Sequence, residues 1–313
     1  MTRKPVRNSS IEYIFQTRHG EVAIPCTNTD RVMFPADGIT KGELIAYYHK
    51  VADVMVPELA ERPISVERFT KGIDAGGFFQ KHAQKHFPAW IERVELGTKT
   101  RVEYPLVNDT ASLIYLANQG SIVFHIWTSR REAPEYPDLL VFDLDPPEGK
   151  FEIVRTTALR LRDLFEEIGL RAFVKTTGGK GLHVVAPLDG RAAYAEVLAL
   201  CTKIARHLVA KYPDELTIEF YKKDRKGRLF LDVMRNALGA TLVAAYSVRP
   251  RPGAPVSAPI AWAEVEDPHL RPNSFTLRDV PGRIATQGDP WARLRDEPGS
   301  IDDADAALDR LTS

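Results

Sequence analysis

Apolar residues recur along the chain with two periods, and the alternation between them marks its elements. Leu44, Ile45, Tyr48, Val51 and Val54 fall at helical spacing after Thr40, a residue suited to cap a helix over about 41–60. Residues 21–35 read as a short strand and turn, and ISVERFTKG (64–72) as a strand entering a glycine turn. TASLIYLAN (110–118) has helical spacing, and SIVFHIW (121–127) is a strand ending in aromatic bulk. The middle is sharper. LLVFDLD (139–145) is an apolar strand stopped by Pro146 and Pro147, which lack the amide hydrogen a ladder needs. An amphipathic helix over 152–168 ends before Gly169. Strands follow at 171–177 and 182–188, then a helix over 191–212. LTIEFYK (216–222) and RLFLDVM (228–234) form a hairpin around the polar DRKG turn. The order β-α-β-β-α-β-β predicts an α+β fold with a largely antiparallel sheet. Beyond Arg249 a proline-rich segment wraps rather than packs regularly, and the acidic tail past about 296 is expected to be poorly ordered.

Composition adds bounds. The 313 residues are 44% hydrophobic and 27% charged, which suits a soluble protein with a sizeable core. No apolar run approaches a membrane span and no signal peptide is apparent, so the expected location is the cytoplasm. The two cysteines, Cys26 and Cys201, exclude a disulfide framework and a cysteine-based zinc site, and are expected to be buried thiols. Net charge is zero, yet it is segregated. Residues 150–251 hold 19 Lys/Arg against 11 Asp/Glu, whereas 131–149 hold one Arg against six acids. An acidic knot beside a basic stretch suits metal ions next to a phosphate-binding surface, although fluctuation between segments could produce the same numbers.

Asp143 and Asp145 stand two apart on one strand, so their side chains share a face. Two divalent ions would relieve their repulsion, one activating an attacking oxygen and one steadying a leaving phosphate. Hard oxygen ligands select Mg²⁺ or Mn²⁺ over zinc. An isolated Asp-x-Asp is more often solvated or caps a turn. Asp232 alters that balance by interrupting LFLDVM as Asp143 interrupts LLVFDLD, unless it is simply paired with Arg235 or Arg228. In TTGGKGLHV (176–184), Gly178, Gly179 and Gly181 let backbone amides approach an anion, with Lys180 at the tip. The spacing of a Walker loop is missing, and His183 could equally be a core histidine.

Taken jointly, DLDPP, TTGGKGLH, FLDVMRN and AAYSVRP resemble the polymerase domain of bacterial ligase D, in the archaeo-eukaryotic primase superfamily. The resemblance runs from about Thr27 to Leu294, with the motifs in order. It implies a primase-polymerase fold: an RRM-like catalytic sheet flanked by helices, with an N-terminal α/β module packed against it. One domain over 1–300 is expected, with a DNA-binding module to about 130, a catalytic module over 131–250, a wrapping segment over 251–300 and the tail at 301–313.

The resemblance also implies roles. Asp143, Asp145 and Asp232 match the metal-binding and catalytic aspartates, for two Mn²⁺ or Mg²⁺ ions. His125, Thr177, Lys180, His183 and Arg249 match contacts to the incoming NTP or dNTP. Thr177 stands where the family usually has serine. Arg31 and Lys41, in DRVMFPADGITK, match basic residues that bind the 5′-phosphate of a downstream strand. Phe78 and Phe79 match aromatics that pack against the template where it bends, a sequence-tolerant contact. The implied activity is template-dependent filling of short gaps or broken ends in double-stranded DNA. A separate DNA ligase and an end-binding protein are expected partners, because no Lys-x-Asp-Gly adenylation motif is present. Priming, metal-dependent nuclease action and a non-catalytic end-binding scaffold are the alternatives.

Overall fold

The structure is a computed structural model that describes residues 9–97, 100–147 and 149–312. An antiparallel hairpin, β1 (Ser10–Thr17) and β2 (Gly20–Thr27), opens the chain, followed by the short pair β3 (Val32–Phe34) and β4 (Ile39–Thr40). Thr40 then caps α1 (Lys41–Lys50) with a full capping box, its hydroxyl accepting from the Glu43 amide. The single helix expected over 41–60 breaks at Val51 and resumes as α2 (Ala52–Leu59). Both halves keep the apolar stripe, since Leu44, Tyr48, Val51, Met55 and Leu59 are all buried.

Next come β5 (Ile64–Arg68), β6 (Phe78–Gln80), the pair β7 (Arg93–Leu96) and β8 (Val102–Pro105), α3 (Thr110–Asn118) and β9 (Ser121–Ile126). The central run is β10 (Leu139–Asp145), α4 (Phe151–Glu167), β11 (Phe173–Thr176), β12 (Leu182–Pro187), α5 (Tyr194–Lys211), β13 (Leu216–Thr217) and β14 (Leu229–Asp232). This is the β-α-β-β-α-β-β order that the hydrophobic pattern predicts. After it come β15 (Leu242–Val243), β16 (Pro259–Ile260), α6 (Trp262–Glu266), α7 (Val280–Gln287) and α8 (Ile301–Thr312).

Two sheets organise these elements. The larger has the order β13-β14-β10-β12-β11-β16, the smaller β15-β9-β5-β6. Alternation along β10 sends Leu140, Phe142 and Leu144 into one core with α4 and α5, and Leu139 and Val141 into a second with α1, α3 and the smaller sheet. The larger sheet is therefore buried on both faces over much of its area. Asp143 and Asp145 follow Leu139 and Val141 on the second face, where that core ends.

Two expectations are corrected. Residues 216–234 do not form a hairpin, because β13 runs parallel to β14, with Leu216 opposite Leu229. Arg225 donates to the carbonyls of Glu219 and Phe220, so the polar run braces a wide loop rather than a tight turn. The acidic tail is not irregular either. Ile301, Ala304 and Leu308 are buried at helical spacing in α8, which packs on α5, and Lys203 of α5 meets Asp305 and Asp309 at 2.6 Å. Its acidity is that of an exposed face. Leu308→Ala should cost about 2–4 kcal/mol in denaturant unfolding; a loss under about 1 kcal/mol would mean that α8 is not part of the cooperative fold.

Cys26 and Cys201 are buried free thiols, as expected. Among the described residues no helix is long and apolar enough to cross a membrane.

Candidate active site

Strand register builds the site. Asp232 on β14 lies opposite Asp143 on β10, Asp143 opposite His183 on β12, and His183 opposite Lys175 on β11. A row of ionisable side chains thus crosses four strands on one face of the sheet, with Asp145 two residues further along β10. The row borders a cavity of about 420 Å³ lined by Phe79, His125, Asp143, Asp145, Thr177, Lys180, His183, Arg235, Arg249 and Arg251.

Asp143 is nearly buried, with its Oδ1 3.3 Å from His183 Nε2 and its Oδ2 accepting from Arg235 Nε at 3.2 Å. Burial alone would raise its carboxyl, but His183 and Arg235 outweigh that and hold it below the usual carboxylate range. Burial pushes the His183 imidazole down to about 4, and Lys175 adds to the effect. At neutral pH the ring is therefore an uncharged hydrogen-bond donor, and the positive charge facing Asp143 belongs to Arg235. Asp145 moves the other way, raised by burial and then by Asp143, against Lys180 and Arg235. Burial raises Asp232 as well; the Met234 amide, donating to Oδ1 at 2.8 Å, works in the opposite sense, and Asp143 raises it further.

These shifts describe three carboxylates that repel one another, a donor set of hard oxygens suited to divalent cations. Among the described residues no three acidic, imidazole or thiol groups converge into a closed cage. Asp143 has its oxygens engaged by His183 and Arg235 instead. The alternative pairing for Asp232 does not form: Arg235 reaches past it to Asp143.

The glycine turn differs from its expected role. The Thr177 hydroxyl accepts from the amides of Gly179, Lys180 and Gly181 at 3.1–3.2 Å and donates to the Gly181 carbonyl. Those amides point inward at Thr177 rather than outward at an anion. Thr177 lines the cavity mainly as the staple that presents Lys180. Two of the glycines are required by close approach. A Cβ on Gly181 would sit 1.8 Å from the Leu144 carbonyl oxygen, and one on Gly178 (φ +61°) would sit 2.7 Å from Arg249 Cγ. Arg249 is thereby seated against the turn, and among the described residues its buried Nε has no hydrogen-bond partner, as is also true of His183 Nδ1.

On the far wall, His125 Nε2 lies 2.7 Å from Glu67 Oε1, and the Phe79 ring is 5.2 Å from the imidazole. Burial lowers the His125 ring, with Glu67 opposing. The neighbouring Phe78 lies under the Arg68 guanidinium at 5.5 Å. Arg68 in turn borders a second cavity of about 190 Å³ shared with Arg31 and Lys41. There the Lys41 ammonium, 5% exposed, donates to Thr27 O at 2.8 Å and to Asn118 Oδ1 at 2.7 Å. Burial pushes it down to about 8. Of the sequence-derived residues, Phe79, His125, Asp143, Asp145, Thr177, Lys180, His183 and Arg249 thus line the first cavity and Arg31 and Lys41 the second, while Asp232 stands opposite Asp143 in the sheet and Phe78 meets Arg68.

Sequence reasoning missed Glu67, Arg68, Lys175 and Arg251, and it weighed Arg235 only as an alternative partner for Asp232, not as the partner of Asp143. Lys175 carried a usable signal, since it interrupts the apolar strand RAFVKTT just as Asp143 interrupts its own. It is fully buried and donates to Ser257 Oγ at 2.6 Å.

The family model of the LigD primase-polymerase domain matches residues 40–291. The chain belongs to this family. The chain is 35% identical over 303 residues to the multifunctional non-homologous end joining DNA repair protein LigD of Mycobacterium tuberculosis. It is 34% identical over 295 residues to LigD of Pseudomonas aeruginosa and 31% over 282 to the bifunctional LigD of Bacillus subtilis. These matches cover 93%, 92% and 87% of the chain but only 39%, 35% and 45% of the relatives. The chain therefore spans about two fifths of the length of the curated relatives it matches. Its structure superposes on the polymerase domain of Mycobacterium tuberculosis ligase D in complex with DNA with a TM-score of 0.84. That match has 34% identity and covers 88% of this chain and 99% of the other. The primase-polymerase fold and the α+β class follow directly.

Proposed function

We propose that this chain is a template-dependent nucleotidyltransferase that fills short gaps or broken ends in DNA during end joining. The observation that supports this most is the cross-strand row Asp232–Asp143–His183, bordered on one side by Lys180, Arg249 and Arg251. A carboxylate cluster alone would serve hydrolysis equally well. Three cations lining the same cavity suit a triphosphate, and so favour nucleotide addition.

In the reaction the primer 3′-oxygen bonds to the α-phosphorus, the bond to pyrophosphate breaks, and the hydroxyl proton leaves to solvent. Asp143, Asp145 and Asp232 would hold two Mg²⁺ or Mn²⁺ ions, which when bound lower the pKa of the 3′-hydroxyl and neutralise the leaving charge. Lys180, Arg249 and Arg251 bind and orient the phosphates, which is most of what phosphoryl transfer requires of a protein. Each Asp143 oxygen keeps a lone pair beyond its contact with His183 or Arg235 and could hold a cation, while Arg235 lines the same cavity and faces the nucleotide. Phe79 and His125 form the wall against which the templated base pair packs, and Arg31, Lys41 and Arg68 take a downstream 5′-phosphate.

Primer extension across a gap of one to three nucleotides, with and without that phosphate, tests the reading. The phosphate should stimulate extension, and Arg31→Ala with Lys41→Ala should abolish the stimulation while leaving basal extension. Equal rates on both substrates would remove the phosphate pocket, and shortening of the primer would remove the polymerase.

The pocket should also titrate. Lys41 is cationic below about pH 8 and neutral above it, while a terminal phosphate becomes dianionic above about pH 6. Phosphate stimulation, read as kcat/KM for the gapped substrate, should thus be fullest between those values and fall as pH rises through 8. Lys41→Ala should flatten the profile, and an undiminished response at pH 9.5 in the parent chain would contradict the assignment.

A further inference from the structure

Lys175 ends the cross-strand row, and the roles above leave it unused. Lysine is among the residue types least often buried completely, because each donor left unmade inside a protein costs free energy. This side chain is nonetheless fully buried. Its Nζ donates to Ser257 Oγ at 2.6 Å, and Ser257 Oγ donates onward to the Thr176 carbonyl at 3.0 Å. Among the described residues Nζ makes no second hydrogen bond. Burial, and then Arg249, hold the group well below the ordinary lysine range, with Asp143 opposing. An ammonium has three N–H donors and an amine two, so in either form at least one is left over. Across the strand pair, His183 has the complementary lack. An ionised carboxylate can only accept, so the His183 Nε2 that lies 3.3 Å from Asp143 Oδ1 holds the proton of the neutral ring. Nδ1 is then a lone pair, and it is buried without a hydrogen-bond partner among the described residues. Lys175 and His183 are directly opposed between β11 and β12, on one face of the sheet. A donor without an acceptor thus stands beside an acceptor without a donor.

We propose that Lys175 is a positioning residue that, with nucleotide bound, donates a hydrogen bond to His183 Nδ1 and so fixes the imidazole with its proton on Nε2. The inference rests on the polymerase reading above and adds a buried residue to its nucleotide site. The hydrogen bond made by one ring nitrogen decides the protonation of the other. With Nδ1 accepting from Lys175, the neutral ring carries its proton on Nε2, the nitrogen beside Asp143 and the cavity. The opposite tautomer would aim an Nε2 lone pair at the Asp143 carboxylate and at phosphate oxygens, where it repels both. Nζ can keep Ser257 as a partner while a second N–H turns to Nδ1. Ser257 also ties the lysine to the triphosphate side of the cavity. Its amide donates to the Ser247 carbonyl, and the preceding Val256 lies against Gly178, the glycine on which Arg249 is seated. Lys175 therefore belongs to the same packed block as the phosphate-gripping arginine, although it touches no ligand itself.

Two measurements test this. Nitrogen NMR of the histidine-labelled parent with ATP and Mg²⁺, without primer, should show His183 as a single Nε2–H tautomer. Its Nδ1 signal should lie upfield of a bare lone pair, as hydrogen bonding requires. The His183 signals are assigned by their absence from His183→Gln. Lys175→Met removes the donor at similar length, and replacing a buried charged group by an apolar one of like volume tends to leave folding intact. In that variant the His183 signals should move toward a mixture of tautomers. Its nucleotide KM should rise on the order of ten-fold, while its affinity for gapped DNA and its stimulation by the downstream phosphate stay unchanged. Adding Lys175→Met to His183→Gln should raise the nucleotide KM no further, because both changes remove one contact. An Nδ1–H tautomer in the parent, an unchanged nucleotide KM in Lys175→Met, or fully additive losses in the double variant would overturn the proposal. Should Lys175→Met fail to fold, the parent spectrum decides alone. A chain that extends no primer would defeat the polymerase reading, and the spectrum would still decide whether Lys175 sets the ring.

Discussion

Asp143→Asn is expected to lower nucleotide incorporation by on the order of 10³-fold or more while the protein stays folded and DNA-bound. Asparagine keeps the volume but only one acceptor oxygen, which can stay on buried His183 while the half-exposed Arg235 turns to solvent, so the strand itself has little reason to move. It removes the charge that faces Asp145 and Asp232, and with it the means of assembling two cations. Because His183 and Arg235 hold Asp143 below the usual carboxylate range, its charge stabilises the fold at neutral pH, and its loss should lower the melting temperature modestly while unfolding stays cooperative. The same variant should lose any rise in melting temperature that Mn²⁺ confers on the parent, a readout independent of turnover. Incorporation within ten-fold of the parent would sink the metal assignment for Asp143 and return the scaffold reading.

Gly181→Ala should be among the most destabilising single-methyl changes in the chain. The new Cβ would lie 1.8 Å from Leu144 O and 2.8 Å from its carbonyl carbon, both backbone atoms of β10. Neither can yield without moving the strand that carries Asp143 and Asp145, so a cost of about 4 kcal/mol or more is expected. Gly190→Ala is the control. Its φ is also positive, at +69°, but its Cβ would meet open space, so it should cost only about 1–2 kcal/mol of backbone strain. Denaturant unfolding of the two variants separates contact from conformation; similar losses would show that the approach of the turn to Leu144 is not tight. Because Lys180 rides on this turn, whatever Gly181→Ala protein folds should also bind nucleotide poorly.

Much of the central module was legible in the chain because its signals are local. The apolar run 139–145, the helix over 152–168 and the strand-turn-strand around GGKG each state their type through periodicity and punctuation. A charge inside an apolar strand found Asp143 and Asp232, and the same rule would have found Lys175. What could not be read was register. Nothing in the sequence says that Asp232 pairs opposite Asp143, or that Arg235 then reaches Asp143 rather than its nearer neighbour. The parallel β13–β14 pairing was hidden because a polar DRKG run looks like a tight turn whether or not an arginine braces it. The acidic tail was misread from its charge, although Ile301, Ala304 and Leu308 carry helical spacing. Thr177 was legible as a residue of the cavity, but its part in the turn was not, because nothing in a glycine-rich run says that the hydroxyl holds the turn's own amides.

The segment after Arg249 also bears on how the molecule can be divided. Its β16 pairs with β11, Val256 presses on Gly178, Ser257 receives the ammonium of Lys175, and the Arg249 amide donates to the Pro255 carbonyl. Each of these contacts supports the catalytic face from residues that follow it in the chain. The reaction centre is thus finished last, by a stretch with little regular structure of its own. A truncation near residue 250 would preserve Asp143, Asp145 and Asp232 and still dissolve the pocket they border. Equally, the catalytic face could not be transplanted into another scaffold as a contiguous cassette: in this fold the unit of inheritance is larger than the motif set.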